Sequence, residues 1–379
     1  MFKNKKIKLF EAFAGIGSQH QALLNLGFKV DIIGISDWYT DAIIAYGLKY
    51  LNLKPKKIDK TKILLYLSKY SLSLNSKIKA KNLGGLSNDK LSILCQVVKK
   101  YGNLDIKNLK GENFIGKNID LFTYSFPCQD ISQQGKQKGF SRGTQSRSGL
   151  LWEVERILKE VKNTDKKSLP KILMMENVKA ILNRNFKGDL DLWINELNNL
   201  GYKSTKPFVI NAKDLGEAQN RERVFMLSFL EKNNLKDFKI EKIYKDKYIK
   251  DIYCKNLIHE KFITNRKFKI IEKDKHIGIK KAFLDGYSNF NAENYVYYLD
   301  GKSPTITASG AHSRVKFFDE NKNIIYLNAF EHLKLQGFND EEFYKKLVKI
   351  GLTENKIKFL AGNSINIKVL EEIFSFYLL

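Results

Sequence analysis

At 379 residues and 43% hydrophobic composition the chain is long enough to bury two cores, and it holds no run near the ~20 apolar residues needed to cross a bilayer. Its formal charge of +25 favours a polyanionic partner, since each phosphate contact releases counterions, although 58 lysines against 8 arginines is also what an A+T-rich genome produces. Three cysteines at unrelated spacings, with no CxxC pair and five scattered histidines, exclude a disulfide framework and a zinc site, and no metal is expected.

The basic start of the chain runs into strand-like sequence without a cleavage site, which predicts a cytoplasmic protein. Lys6 to Phe13 reads as a strand, Ser18 to Gly27 as a helix closed by a glycine, Val30 to Ser36 as the next strand and Thr40 to Tyr50 as a second helix. Residues 60–117 are rich in Lys, Ser and Asn with helical apolar spacing, the mark of an insertion. Strands follow at 119–125, 171–175, about 205–210 and 223–229, with helices at 150–163 and 189–200 between them. This alternation predicts an α/β fold with a mostly parallel sheet, helices on both faces, and binding sites at the C-terminal strand edges. Residues 231–285 break the rhythm, carrying 16 Lys/Arg against 9 Asp/Glu in short β-like runs, and open a basic second domain that continues to about Phe318. The amphipathic segment from Ile365 to Leu379 is predicted to pack as a helix on the first domain.

Phe13-Ala14-Gly15-Ile16-Gly17 joins the first strand to the first helix, where glycines let backbone approach a ligand at a helix N-terminus. A lone GxG is weak evidence, and a tight turn with incidental glycines is the plain alternative. Asp37, followed by Trp38 just beyond the second strand, strengthens the case, because an acid there is spaced to take ribose hydroxyls. The third glycine of the dinucleotide fingerprint is missing, which points to one nucleoside without a pyrophosphate, and S-adenosylmethionine fits.

Pro127-Cys128-Gln129-Asp130 follows an apolar strand and precedes twenty polar residues holding Gly135, Gly139, Gly143 and Gly149, so the Cys128 thiol is placed at a strand end beside a loop, where a nucleophile would sit. Cys95 lies in an apolar run and reads as a buried hydrophobe, and Cys254 carries no motif. Glu176 ends the apolar strand before Asn177 and Val178, where a carboxylate is costly unless paired or used; capping the following helix is the alternative. Arg221 and Arg223 open the strand at 223–229 on one side by alternation. Strand-end arginines are ordinarily solvated, but these two, with Arg142 and Arg147, make half of the eight in a lysine-dominated chain.

Phe13-Ala14-Gly15-Ile16-Gly17, Pro127-Cys128-Gln129, Glu176-Asn177-Val178, the Gln219-x-Arg221-x-Arg223 spacing and Gly362-Asn363-Ser364 occur in the order and rough spacing of the cytosine-C5 DNA methyltransferases, a family this chain resembles over nearly its whole length apart from 60–117 and much of 231–285. The resemblance implies a Rossmann-like S-adenosylmethionine-dependent methyltransferase fold, with a catalytic domain at 1–235 and 360–379, a target-recognition domain at 236–325 and a hinge at 326–359. It implies Cys128 as nucleophile, Glu176 at cytosine N3 and the exocyclic amine, Arg223 at O2, Arg221 in support and Asn177 positioning the cysteine loop. S-adenosylmethionine would be held by Phe13, Gly15, Gly17, Asp37, Trp38, Asp59, Pro127, Asn363 and Ser364, leaving as S-adenosylhomocysteine. Double-stranded DNA would be met by Gln129, Ser132, Gln133, Arg147, Thr305, Thr307, Ser309 and Arg314 around a flipped base.

Two other readings stand beside this one: a tRNA cytosine-C5 methyltransferase, which predicts a smaller recognition region, and a non-catalytic DNA-binding regulator, disfavoured by the full set of chemical residues. The stretches at 291–297 and 303–314 resemble the recognition domains of CG-specific bacterial enzymes, so a CG-containing target is expected. A monomer is the simpler expectation, acting on each strand of a palindrome in turn, and a cognate restriction endonuclease is a possible partner.

Overall fold

The computed structural model describes residues 6–102, 104–128, 131, 139–143, 147–230, 235–240, 242, 244–276 and 278–379, without the side chains of 274–276. Its contacts divide the chain into two units, one of residues 1–210, 223–240 and 371–379, the other of residues 211–222 and 241–370. These bounds differ from those read in the sequence: the short segment 211–222 and the stretch 326–370 both belong to the second unit, because their hydrogen bonds run to residues within it.

The first unit opens with β1 (Lys6–Ala12), α1 (Ser18–Asn25), β2 (Lys29–Ser36) and α2 (Thr40–Tyr50), continues through α3 (Lys60–Leu67), α4 (Asn88–Tyr101), β3 (Leu121–Tyr124), α5 (Leu151–Asp165), β4 (Ile172–Val178) and α6 (Lys187–Leu200), and ends its sheet with β5 (Tyr202–Ser204), β6 (Phe208–Asn211) and β7 (Glu222–Leu230). The strand order is β2-β1-β3-β4-β7-β5, with β6 beside β7. β2, β1, β3 and β4 run parallel, as the alternation predicted, whereas β7 is antiparallel to both β4 and β5. No helical crossover of a dozen residues separates β5, β6 and β7, and without one a parallel pairing cannot be reached. The residues of β3 are all buried, and so are all but the last of β4, the pattern of strands covered on both faces. Trp193 of α6 packs edge-on against Tyr124 of β3 and Trp152 of α5, tying both helices to the sheet at its centre. The insertion is helical: α4 buries Leu91, Ile93, Leu94, Cys95, Val97 and Val98, around most of its circumference, and its N-cap Ser87 accepts the Lys90 N–H.

The second unit carries a six-stranded sheet, β8 (Glu260–Lys261), β9 (Lys269–His276), β10 (Ile279–Asp285), β11 (Tyr295–Tyr298, after the single turn α7, Asn291–Asn294), β12 (Lys316–Phe318) and β13 (Ile324–Tyr326), in the order β8-β13-β12-β11-β10-β9. All neighbours are antiparallel except β11 and β12. Ala282, Leu284, Val296 and Phe318 form its small core. The region read as a hinge is helical, α8 (Ala329–Leu335), α9 (Glu341–Lys349) and α10 (Glu354–Asn363), and α11 (Ile367–Leu378) carries the chain back, its Tyr377 ring 5.7 Å from Phe229 of β7. Among the described residues no helix is long and apolar enough to cross a membrane.

Candidate active site

Backbone register alone brings the sequence motifs of the first unit to one line. Ala12 is paired with Ser36 and with Tyr124, and Tyr124 with Met175, so β1, β2 and β3 end at one level, which β4 passes by three residues to end at Val178. The residues just beyond that level are Phe13, Asp37, Ser125 and Glu176, the last still within β4. Because β7 is antiparallel to β4 with Phe225 opposite Glu176, the start of β7 lies at this same edge, and Arg223 is the diagonal neighbour of Glu176 on one face.

The turn after β1 is shaped by left-handed backbone: Phe13, Gly15 and Gly17 have φ of 57°, 54° and 75°. For Phe13 that conformation carries a cost, and the Ser125 hydroxyl, which donates to the Phe13 carbonyl at 3.4 Å, helps to hold it. Asp37 closes the turn by accepting the Gly15 N–H at 2.9 Å, while its other oxygen accepts the Tyr39 N–H at 2.9 Å. Burial pushes the Asp37 carboxyl above its ordinary value, partly offset by the N–H groups of Tyr39, Gly15 and Trp38. Trp38 is half-buried beside it, its carbonyl taken by the Ser73 N–H of the insertion at 2.7 Å. A Cβ placed on Gly15 would meet nothing within 4 Å, so the turn opens onto free space. Open space over a glycine turn, a half-buried ring at Phe13 and a fixed carboxylate at Asp37 fit the nucleoside of S-adenosylmethionine. Asp59 is engaged locally, capping α3 through the Lys62 N–H at 3.1 Å.

The segment carrying Cys128 is pinned by its backbone. Asn177 Nδ2 donates to the Phe126 carbonyl at 3.1 Å and the Ser148 hydroxyl to the Pro127 carbonyl at 2.7 Å, and the Cys128 carbonyl accepts the Ile131 N–H at 3.0 Å. Cys128 itself is partly exposed, in contrast to buried Cys95, whose thiol burial pushes up. Glu176 is 8% exposed, and its Oε1 lies 3.2 Å from Arg223 Nε.

Arg221 and Arg223 bind different partners, contrary to the alternation read in the sequence, because β7 begins only at Glu222. The Arg221 guanidinium is buried in the second unit, donating to the carbonyls of Ile306 (2.9 Å), Gly362 (3.1 Å) and Ser364 (2.7 Å). Gln219 works in parallel, donating to Leu335 and accepting from the Ile306 N–H. Gly362 lies so close to this stretch that a Cβ would stand 2.4 Å from the backbone of Thr307 and Ala308. Asn363 ends α10, and the Ser364 hydroxyl donates to Leu360 at 2.8 Å, so both residues of that motif sit in the second unit. Thr305 donates to the Asn220 carbonyl at 2.5 Å and Thr307 to the Ser309 carbonyl at 2.8 Å, while Arg314 pairs with Glu260 and covers the Tyr326 ring. Gln129, Ser132 and Gln133 lie outside the described residues, and Arg147 stands just before the turn at Ser148–Leu150.

Sequence reasoning missed Ser125, Ser148 and the anchor at Phe140 to Arg142. There the Trp152 indole donates to the Phe140 carbonyl at 2.5 Å, and Arg142 pairs with Glu155 (2.5 Å) and Glu196 (2.9 Å) over the Trp152 ring. Only the rarity of arginine marked that position.

A model of the C-5 cytosine-specific DNA methylases matches residues 90–376. The chain is 43% identical over 387 aligned residues to the orphan methyltransferase M.SssI of Spiroplasma monobiae, covering 98% of this chain and 97% of that protein. It is 37% identical over 235 residues to the type II methyltransferase M2.ScrFI of Lactococcus lactis subsp. cremoris, covering 60% and 62%. Among solved structures, the S. pombe Dnmt2 methyltransferase superposes with a TM-score of 0.65 at 18% identity over 98% of both chains, and a putative DNA modification methyltransferase from an E. coli prophage with 0.58 at 17% over 97% of both, which supports the fold alone. With the glycine turn after β1, Cys128 beyond β3 and Glu176 on β4, this chain belongs to the C-5 cytosine-specific DNA methylase family and is an S-adenosylmethionine-dependent DNA cytosine-5 methyltransferase.

Proposed function

We propose that Cys128, Glu176 and Arg223 carry the methyl transfer, with Asn177 positioning the cysteine and Arg221 supporting the site. The observation behind this reading is the common level of Ala12, Ser36, Tyr124 and Met175 on neighbouring strands, which sets the nucleophile's strand between the glycine turn and the Glu176–Arg223 pair. Cytosine C5 is a poor nucleophile, and addition of the Cys128 thiolate to C6 makes it enamine-like. Glu176 holds N3 and the exocyclic amine and helps protonate N3 as the thiolate adds, while Arg223 contacts O2 and keeps the Glu176 carboxylate in place. S-adenosylmethionine supplies the electrophilic methyl group and leaves as S-adenosylhomocysteine. A base then takes the C5 proton, the C6–S bond breaks and the thiolate returns. Phe13, Gly15, Gly17, Asp37, Trp38, Asp59, Pro127, Asn363 and Ser364 are the proposed cofactor contacts.

A stacked cytosine cannot reach a thiol at a strand end, so the base is flipped out of duplex DNA. The proposed DNA contacts are Gln129, Ser132, Gln133, Arg147, Thr305, Thr307, Ser309 and Arg314, with 236–325 as recognition domain and 326–359 as hinge. The target contains CG, on the likeness of residues 291–297 and 303–314 to CG readers. The enzyme works in the cytoplasm as a monomer, in an orphan role or beside a cognate restriction endonuclease. Bisulfite sequencing of a plasmid methylated in vitro tests the target: modified cytosines confined to CG support it, and modified cytosines elsewhere overturn it. Transfer to tRNA and not to duplex DNA would establish the tRNA reading instead.

A further inference from the structure

The Phe13–Gly17 turn rests on a buried polar cluster that the proposed chemistry does not use. Glu11, two residues before Phe13 on β1, is wholly buried. One of its oxygens accepts the hydroxyl of Tyr46 at 2.5 Å and the other accepts the N–H of His20, in the first turn of α1, at 3.2 Å. The His20 Nδ1 lies 3.2 Å from the same Tyr46 hydroxyl, and its ring stacks on Tyr50 with centroids 4.1 Å apart. Tyr50 completes the circuit by donating to the Gly17 carbonyl at 2.6 Å, which also accepts the Gln21 N–H of α1. Gly17 cannot be replaced without disturbing this cluster, since a Cβ there would stand 2.4 Å from the Tyr50 ring and 2.8 Å from the Tyr46 ring.

Both tyrosines come from α2, and α2 is backed by the insertion: a Cβ on Gly47 would lie 2.8 Å from Val97 of α4 and within 3.4 Å of Ile93. Tyr101, the last residue of α4, is in electrostatic range of Glu11. A carboxyl, an imidazole and the Tyr46 phenol have thus been buried together beside the half-buried Tyr50, where apolar residues would fill the space at lower cost, and each of their bonds leads to the backbone of the turn or to a neighbour that holds it.

We infer that Glu11, His20, Tyr46 and Tyr50 are positioning residues for the methyl donor, fixing the Phe13–Gly17 backbone from beneath, and that α4 of the insertion braces them through α2. The inference rests on the reading of that turn as the cofactor site. Losing the Tyr50 bond lets the Gly17 carbonyl and the first turn of α1 relax, which loosens the cradle without touching Cys128 or Glu176.

The test is binding of S-adenosylhomocysteine by calorimetry, with steady-state kinetics at saturating DNA and a thermal melt of each variant. Tyr50→Phe and Tyr46→Phe should each weaken S-adenosylhomocysteine binding, and raise KM for S-adenosylmethionine, by about 3- to 10-fold with kcat within about twofold of the parent. Val97→Ala should weaken binding in the same sense. A lower melting temperature with unchanged Kd and KM in the two tyrosine variants would make the cluster merely structural and overturn the inference. Unchanged Kd in Val97→Ala alone would remove the bracing role of α4. Failure of the parent protein to bind S-adenosylhomocysteine at all would strike the cofactor reading instead.

Discussion

Arg223 Nε stands 3.2 Å from Glu176 Oε1, across two antiparallel strands whose register makes the two residues diagonal neighbours. The acid that would assist protonation of the base is therefore held by a cation from the same sheet. Glu176→Gln keeps the shape and removes the proton-carrying group, and methyl transfer should fall by about 10²- to 10⁴-fold while S-adenosylhomocysteine binding is retained. Arg223→Ala removes a charged partner of the Glu176 carboxylate and should also destabilise the fold by on the order of 1–3 kcal/mol in urea titration.

Cys128→Ser should abolish transfer, whereas Cys95→Ser and Cys254→Ser should not. Cys95 is buried in α4, and Cys254 lies in the second unit with its sulfur 3.4 Å from Lys334 Nζ. Tritium transfer from labelled S-adenosylmethionine to duplex DNA measures this, and full activity in Cys128→Ser would remove the thiol from the mechanism.

Arg221→Ala should cost roughly 3 kcal/mol or more in folding stability, because three buried carbonyls lose a charged donor together. Gly362→Ala should cost about 1–3 kcal/mol through overpacking against Thr307 and Ala308. Urea midpoints unchanged in both would show that this clamp is not needed to hold the second unit.

Burial raises the Glu11 carboxyl from its ordinary 4.5 to about 7, and it lowers His20 from 6.5 to about 4, with the charge of Lys49 acting in the same direction. Between pH 4.5 and 7 folded Glu11 binds more protons than unfolded Glu11, so its contribution to stability falls as pH rises. Between pH 4 and 6.5 unfolded His20 binds more protons than folded His20, so its contribution rises with pH, and the buried His332, also at about 4, adds to that rise. Glu11→Gln should therefore steepen the gain in stability between pH 4.5 and 6.5 by up to one proton's slope. Denaturant titrations across this range check the sign, and a shallower slope in the variant would contradict the burial of a proton-bearing Glu11.

What the sequence made legible was whatever neighbours in the chain determine. Hydrophobic runs gave β1, β3 and β4, Thr40 to Tyr50 came out as α2, and the glycines after β1 marked a turn that the structure confirms by positive φ. The antiparallel setting of β7 was not legible, since pairing direction depends on which strands lie between, not on the residues of β7. Arg221 and Arg223 look alike at a spacing of two, yet one falls before the strand and is consumed by carbonyls more than eighty residues away, and the other faces Glu176. Ser125, Ser148, Trp152 and Tyr50 escaped notice for the same reason: a single hydroxyl or indole acquires its meaning only from a carbonyl that is distant in sequence.

The Arg221 clamp also sets an order on the ribosome. The guanidinium waits for the Ser364 carbonyl, 143 residues later, and at ~5–20 residues per second of synthesis that is a delay of roughly 7–30 s. Ile306 supplies a first acceptor 85 residues on, and the clamp stays incomplete until Gly362 and Ser364 follow. A message truncated just short of codon 362 would yield a polypeptide with Cys128, Glu176 and Arg223 all present and an Arg221 clamp reduced to the Ile306 carbonyl.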